Sequence, residues 1–166
     1  MEIGSKDDLM VRLVAEWRQE CPDLDASAMK IVGRIMRLGR QFEREAAEAL
    51  KPMGLPYTEF DIVATLRRSG PPYELTPGQL SDAVLLTSGA MTAALDRLER
   101  AGFVTRHASD KDRRVKTAKL TEEGQAIAET AAQARFAAAN RAIKMLPDAQ
   151  RSELELILAA LGRGTV

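Results

Sequence analysis

The residues best suited to chemistry lie between positions 87 and 114. Thr87, Ser88 and Thr92 place hydroxyls at the start of a segment whose apolar residues Met91, Leu95 and Leu98 recur at helical spacing. The opposite face of that helix carries Gly89, Ala93, Asp96 and Arg100, with Thr92 and Arg97 on its flanks. Small residues on an outward face let a helix lie deep in a groove. Hydroxyls beside a helix N-terminus can donate to phosphates or base edges, and the terminus itself attracts anions. A second group follows in Ser109-Asp110-Lys111-Asp112-Arg113-Arg114. Arginine suits a narrow minor groove, where the negative potential is deepest. Asp112, two residues before Arg114, is close enough to hold its guanidinium in a fork. Alone, such a run reads as a solvated turn. Directly after a helix-turn-helix it reads as a second contact. The chemistry expected of Thr87, Ser88, Gly89, Thr92, Ala93, Arg97, Lys111, Asp112, Arg113 and Arg114 is therefore the grip of double-stranded DNA.

The elements that must position these groups can be traced from the punctuation. Ser5, with Asp8 in capping-box spacing, opens a helix that runs to about Glu20 and stops at Cys21-Pro22. Residues 24–51 read as a long amphipathic helix with an apolar stripe through Ile31, Ile35, Leu38, Phe42 and Ala49. After the Pro52–Pro56 break, Thr58 is expected to cap the next helix, with Asp61 at its third position. Tyr73-Glu74-Leu75 is a small edge strand. Thr76-Pro77-Gly78-Gln79 opens a short helix, about 77–84, with cap, proline and glutamine in order. A tight turn at Leu86-Thr87 leads to the helix 88–100, which Gly102 stops. Residues 103–106 and 116–120 form a hairpin with a charged tip, and Thr121 caps an alanine-rich helix of about 122–145. Pro147-Asp148 breaks it before a last helix at about 149–161. Two short helices and a charged hairpin make a winged helix-turn-helix, because a major groove about 12 Å wide admits one helix braced by another. The fold class is mainly α with a small β-hairpin wing.

Composition narrows the alternatives. The 166 residues are 45% hydrophobic and 4% aromatic, a balance that favours packed helices. Net charge is 0, yet residues 97–119 hold eight Lys/Arg against three acids, a local +5 balanced by −5 elsewhere. One cysteine, Cys21, and one histidine, His107, exclude an intrachain disulfide and a zinc cluster of Cys and His. No cofactor is implied. An enzyme would need a nucleophile with a base, paired acids in a cleft or a phosphate-cradling loop, and none is evident. The acidic N-terminus is not a signal peptide and no apolar run would span a membrane, so the expected location is cytoplasmic.

The run Leu80-Ser81-Asp82, Ser88-Gly89-Ala90-Met91-Thr92, Leu95-Asp96-Arg97-Leu98-Glu99-Arg100-Ala101-Gly102-Phe103-Val104, Arg106, Asp112-Arg113-Arg114 and Leu120-Thr121-Glu122-Glu123-Gly124 resembles the signature of MarR transcriptional regulators. The resemblance covers about residues 28–162. It implies a homodimer whose first and last helices pack together, so residues 1–54 and 121–166 form a dimerisation region around a DNA-binding region at 55–120. It also implies a near-palindromic operator and a small-molecule or redox signal that releases DNA. Ala93-Ala94 stands where many similar sequences have Asn-Arg, which shifts weight to the wing, phosphate contacts and DNA shape.

The added N-terminal helix with Trp17 resembles the urate-responsive branch of the family. That resemblance implies a ligand site at Trp17, Asp61 and Arg106, with Ala94 in place of a second arginine. The implied ligand is a small aromatic or anionic molecule, repressor release its effect. Each residue also has a structural explanation: Trp17 as a packing anchor, Asp61 as a capping-box acid, Arg106 as a partner for an acid or phosphate near the wing base. Two alternatives stand beside this one. Cys21 would make the protein a redox sensor, although Glu20 and Asp23 beside it favour the thiol. A winged helix can also serve protein contact without DNA, but such a surface has no need of a +5 segment.

Overall fold

The computed structural model describes residues 8–108 and 116–163. The chain divides into two compact units, residues 1–45 and 46–166.

In the first unit, α1 (Leu9–Glu20) begins at Asp8 rather than at Ser5, which lies outside the described residues. The Asp8 carboxylate accepts from the Met10 N–H at 2.9 Å and also takes the Arg34 guanidinium at 2.7 Å. One acid thus caps α1 and ties it to α2 (Met29–Leu50). Met10 and Val14 are buried, and Gly33 of α2 makes room, since a Cβ there would meet the Met10 sulfur. The helix expected from residue 24 starts five residues later. Asp25 instead accepts from the Ser27 N–H at 2.9 Å, an Asx turn that competes with helix.

In the second unit, a 3-10 turn (Lys51–Met53) closes on Gly54 at φ +62°. Next comes α3 (Tyr57–Arg68), whose N-cap is Pro56, not Thr58. Proline arrives with its φ preset, so the helix starts two residues earlier than the hydroxyl signal suggests. Asp61 therefore has no capping partner in Thr58, and that structural explanation for it falls. The short strand β1 (Glu74–Leu75) precedes α4 (Pro77–Val84) and α5 (Ser88–Arg100). Strands β2 (Val104–Ala108) and β3 (Lys116–Leu120) complete an antiparallel sheet in the order β1-β3-β2. Helices α6 (Glu122–Ile143) and α7 (Asp148–Arg163) end the chain.

One core holds this unit together. Phe60, Ile62, Val63 and Leu66 of α3 meet Leu80 of α4, Met91, Ala94, Leu95 and Leu98 of α5, Val104 and Leu120 of the sheet, and Ala128 and Ala131 of α6. The Leu-Thr-x-x-Gly segment has a clear physical role at its edge. Thr121 Oγ1 accepts from the Gly124 N–H at 2.9 Å and donates to the Gly102 carbonyl at 2.7 Å. Its own N–H donates to the Phe103 carbonyl at 3.1 Å. Gly124 lies against that same carbonyl, where a side chain cannot fit. The end of α5 is thereby clamped to the start of α6.

Candidate nucleic-acid interface

The two short helices are built by local chemistry. Thr76 Oγ1 accepts from the Gln79 N–H at 3.2 Å, and Gln79 Oε1 accepts from the Thr76 N–H at 2.9 Å, the reciprocal box expected. Helix α4 ends at Leu85 in the left-handed region, φ +54°. Thr87 then caps α5 by accepting from the Ala90 N–H at 3.3 Å. Met91, Ala94, Leu95 and Leu98 turn inward, while Thr87, Ser88, Gly89, Ala90, Thr92, Ala93, Arg97 and Arg100 are exposed. The outward face therefore carries small and hydroxylated residues near its N-terminus and cations near its C-terminus. The Thr92 hydroxyl donates to the Ser88 carbonyl at 3.0 Å, which leaves its lone pairs outward.

Two ion-pair systems lock α5 in place. Arg97 bonds through Nε to Glu59 of α3, a residue only 7% exposed. Its side chain stays half exposed, so it braces α5 and still reaches solvent. Arg106 of β2 pairs with Asp96 at 2.6 Å and Glu99 at 2.5 Å, and its backbone N–H also donates to Glu99 at 3.2 Å. Hydrogen bonds from Arg106 hold the Glu99 carboxyl below its ordinary value. This joint bolts the first wing strand onto the last turn of α5. Arg106 thus meets acids beside the wing base, one of the readings its sequence position allows, whereas the Glu59 partner of Arg97 carries no signal in the sequence. Glu59 looks like an ordinary helix-start acid, and its partner lies 38 residues away.

The sheet sets the root of the wing. Val104 through Ala108 pair with Leu120 back to Lys116. His107 Nε2 stands 3.3 Å from Glu74 Oε1, so β1 and β2 are linked across β3. Lys111, Asp112, Arg113 and Arg114, expected at the tip, lie outside the described residues.

The three residues implied as a ligand site are placed differently from one another. Trp17 lies on α1 of the first unit and is 47% exposed. Asp61 lies on α3 of the second, half-buried, and burial pushes its carboxyl up while Arg68 and Arg135 pull it down by less. The Arg106 guanidinium is engaged by Asp96 and Glu99, while the charges that bear on Asp61 are those of Arg68 and Arg135. Ala94, where a second arginine was implied, is fully buried in the core. Cys21 is partly exposed at the end of α1, its N–H donating to the Trp17 carbonyl at 2.8 Å. No described helix is long and apolar enough to cross a membrane.

With this geometry in hand, comparison with known proteins is specific. Residues 53–115 match the MarR family. The chain is 39% identical over 115 residues to the HTH-type transcriptional regulator PecS of Dickeya dadantii, a match covering 69% of each chain. It superposes on an Escherichia coli MarR mutant complexed with operator DNA with a TM-score of 0.69 and 27% identity, covering 83% of this chain and 99% of that one. It is also similar to a Mycobacterium tuberculosis MarR-family protein in complex with p-aminosalicylic acid: TM-score 0.62, 32% identity, 80% of this chain and 98% of that one.

Proposed function

The chain belongs to the MarR family of DNA-binding transcriptional regulators, and from that premise we propose that it is a homodimeric repressor released from a pseudo-palindromic operator by a small aromatic or anionic ligand. The family is one of transcription regulators, not of enzymes. The observation that carries the reading is the exposed face of α5, small and hydroxylated at one end and cationic at the other, braced by Glu59 and tied to the wing by Arg106. In the dimer, two such helices enter successive major grooves about 34–36 Å apart. Thr87, Ser88, Gly89, Thr92, Ala93 and Arg97 face the bases and phosphates, and Lys111, Asp112, Arg113 and Arg114 supply the wing contact.

The dimer reading is supported by apolar surface that a lone chain would not leave wet. Helix α7 has no buried residue, and Leu154, Leu156, Ile157, Leu158 and Leu161 are 39–72% exposed. On α2, Ile31, Ile35, Leu38 and Phe42 are 36–61% exposed. Surface of this kind marks a protein interface. The dimerisation region is then 1–54 with 121–166, around a DNA-binding region at 55–120, in a cytoplasmic protein.

For the ligand, Asp61 is the best supported contact, since its cost in burial is not offset by a cap. Trp17 is the second candidate. Arg106 would have to exchange its acid partners to join them. The urate-responsive resemblance rests on these residues, and p-aminosalicylic acid on a relative supports an aromatic acid as the class. Titrating a labelled protein–operator complex with urate and with substituted benzoic acids tests this. Saturable release that Asp61→Asn abolishes is expected. Release by none of them, with release by peroxide that Cys21→Ser removes, would replace the ligand reading by the redox one.

A further inference from the structure

Among the described residues, two that are not glycine adopt the left-handed backbone, Tyr73 at φ +59° and Leu85 at φ +54°. Unlike glycine, L-residues other than asparagine and aspartate avoid this region because Cβ crowds the following carbonyl. Tyr73 recovers the cost through its side chain, which packs against the core and lies under the Arg67 guanidinium at 4.8 Å. Leu85 recovers nothing. It is 92% exposed, more than any other large hydrophobic among the described residues. Its backbone N–H bonds the Ser81 carbonyl to close α4, and that bond needs no side chain. Glycine or asparagine would close the helix with less strain and present no hydrocarbon to water. A strained backbone held without local benefit points to a task outside the chain.

The position of Leu85 says which task. It lies in the turn of the helix-turn-helix, two residues before the Thr87 cap; Leu86 between them packs half-buried on the core, and the exposed run Thr87, Ser88, Gly89 and Ala90 at the N-terminus of α5 follows. That run is the part of the interface that approaches base edges. A branched aliphatic side chain there has one sequence-specific partner in B-DNA, the thymine C5-methyl group in the major groove. We propose that Leu85 is a specificity-determining residue, held in the left-handed turn so that its side chain packs on a thymine methyl at the outer edge of each operator half-site. The proposal rests on the operator-binding reading above and adds a base preference to it. Ala93 offers only a methyl on the exposed face of α5, so this apolar contact adds discrimination to what Thr92 and Arg97 supply.

The test uses the duplex that the wild-type dimer enriches from a random library, with each thymine replaced in turn by deoxyuridine, and the variants Leu85→Gly and Leu85→Asn, both tolerant of the left-handed region. Both variants should melt at or above the wild-type temperature. At one symmetric thymine position, loss of the methyl should weaken wild-type binding about fourfold per half-site, the worth of one buried methyl. The same replacement should leave Leu85→Gly unaffected. Variants that bind the unmodified duplex as tightly as wild type, or that keep the deoxyuridine penalty at every position, would overturn the proposal while wild-type binding stands. If the wild type enriches no duplex at all, the operator-binding reading fails, and this inference with it.

Discussion

Replacing Gly124 by alanine puts the clamp between α5 and α6 to a quantitative test. An ideal Cβ at that position would stand 1.9 Å from the Phe103 carbonyl oxygen, 2.9 Å from its carbon and 3.1 Å from Leu120 Cδ2. Ordinary contact begins at 3.4 Å, so backbone must move. The nearest obstacle is the oxygen that accepts from the Thr121 N–H at 3.1 Å, and a shift of that size breaks the bond. Losing it costs about 1 kcal/mol. Overpacking against backbone costs about 1–3 kcal/mol more. The helical advantage of alanine over glycine returns about 1 kcal/mol at most, less in a first turn. The net is a loss of about 1–4 kcal/mol, which in a chain of this length lowers Tm by about 2–16 °C. Urea and thermal unfolding at one fixed protein concentration measure it, since dimerisation makes Tm concentration-dependent. Gly78→Ala is the control: a Cβ there meets only the Thr76 hydroxyl at 3.9 Å, and stability should stay within about 0.5 kcal/mol of wild type. A Gly124→Ala protein as stable as wild type would refute the clamp.

Other substitutions separate the remaining contacts. Glu59→Ala should cost about 1–2 kcal/mol, the lower part of the range for charged hydrogen bonds because Arg97 is half exposed, and should weaken operator binding by freeing α5; urea unfolding and anisotropy read the two effects. Asp61→Asn should raise Tm at neutral pH. Burial raises the folded-state pKa of Asp61 above 3.8, so its charged form opposes folding, and wild type should gain stability as the pH falls through that raised value. Glu74 behaves oppositely. The Thr117 hydroxyl, with His107 adding to it, holds its carboxyl below the ordinary 4.5, so its stabilisation is present above that pH and is lost as the pH falls through the lowered value. The penalty of Glu74→Gln in urea midpoints should therefore shrink between pH 7 and pH 3. Arg114→Ala should weaken operator binding and flatten its salt dependence, and unchanged affinity would remove the wing from the interface.

Much of this was legible because it is local. Thr76-Pro77-Gly78-Gln79 and Thr121 announce helix starts by side chains that bond their own first turns, and Gly102 announces a stop by its positive φ of 79°. The helical spacing of Met91, Leu95 and Leu98 gave the buried face of α5 for the same reason. Thr58 misled because Pro56 had already preset the entry to α3, and residue 24 misled because Asp25 prefers its own turn. The partners that depend on packing were legible only in part. Nothing near Arg97 in sequence says that Glu59, 38 residues away, holds it, and an acid near the wing base was expected for Arg106 without Asp96 and Glu99 being singled out, since both pairings depend on how α3, α5 and β2 pack. The left-handed turn at Leu85 carries no signal in the sequence, because backbone preference favours other residues there.

The central claim is that two copies of this chain grip one duplex through α5 and the wing. Fluorescence anisotropy on the DNA upstream of its own gene, repeated across salt concentrations with the stoichiometry fixed by sedimentation, tests it most directly. Two protomers per duplex and a log–log salt slope of about −5 or steeper are expected, as for about six neutralised phosphates. One protomer per duplex, or affinity indifferent to salt, would contradict it.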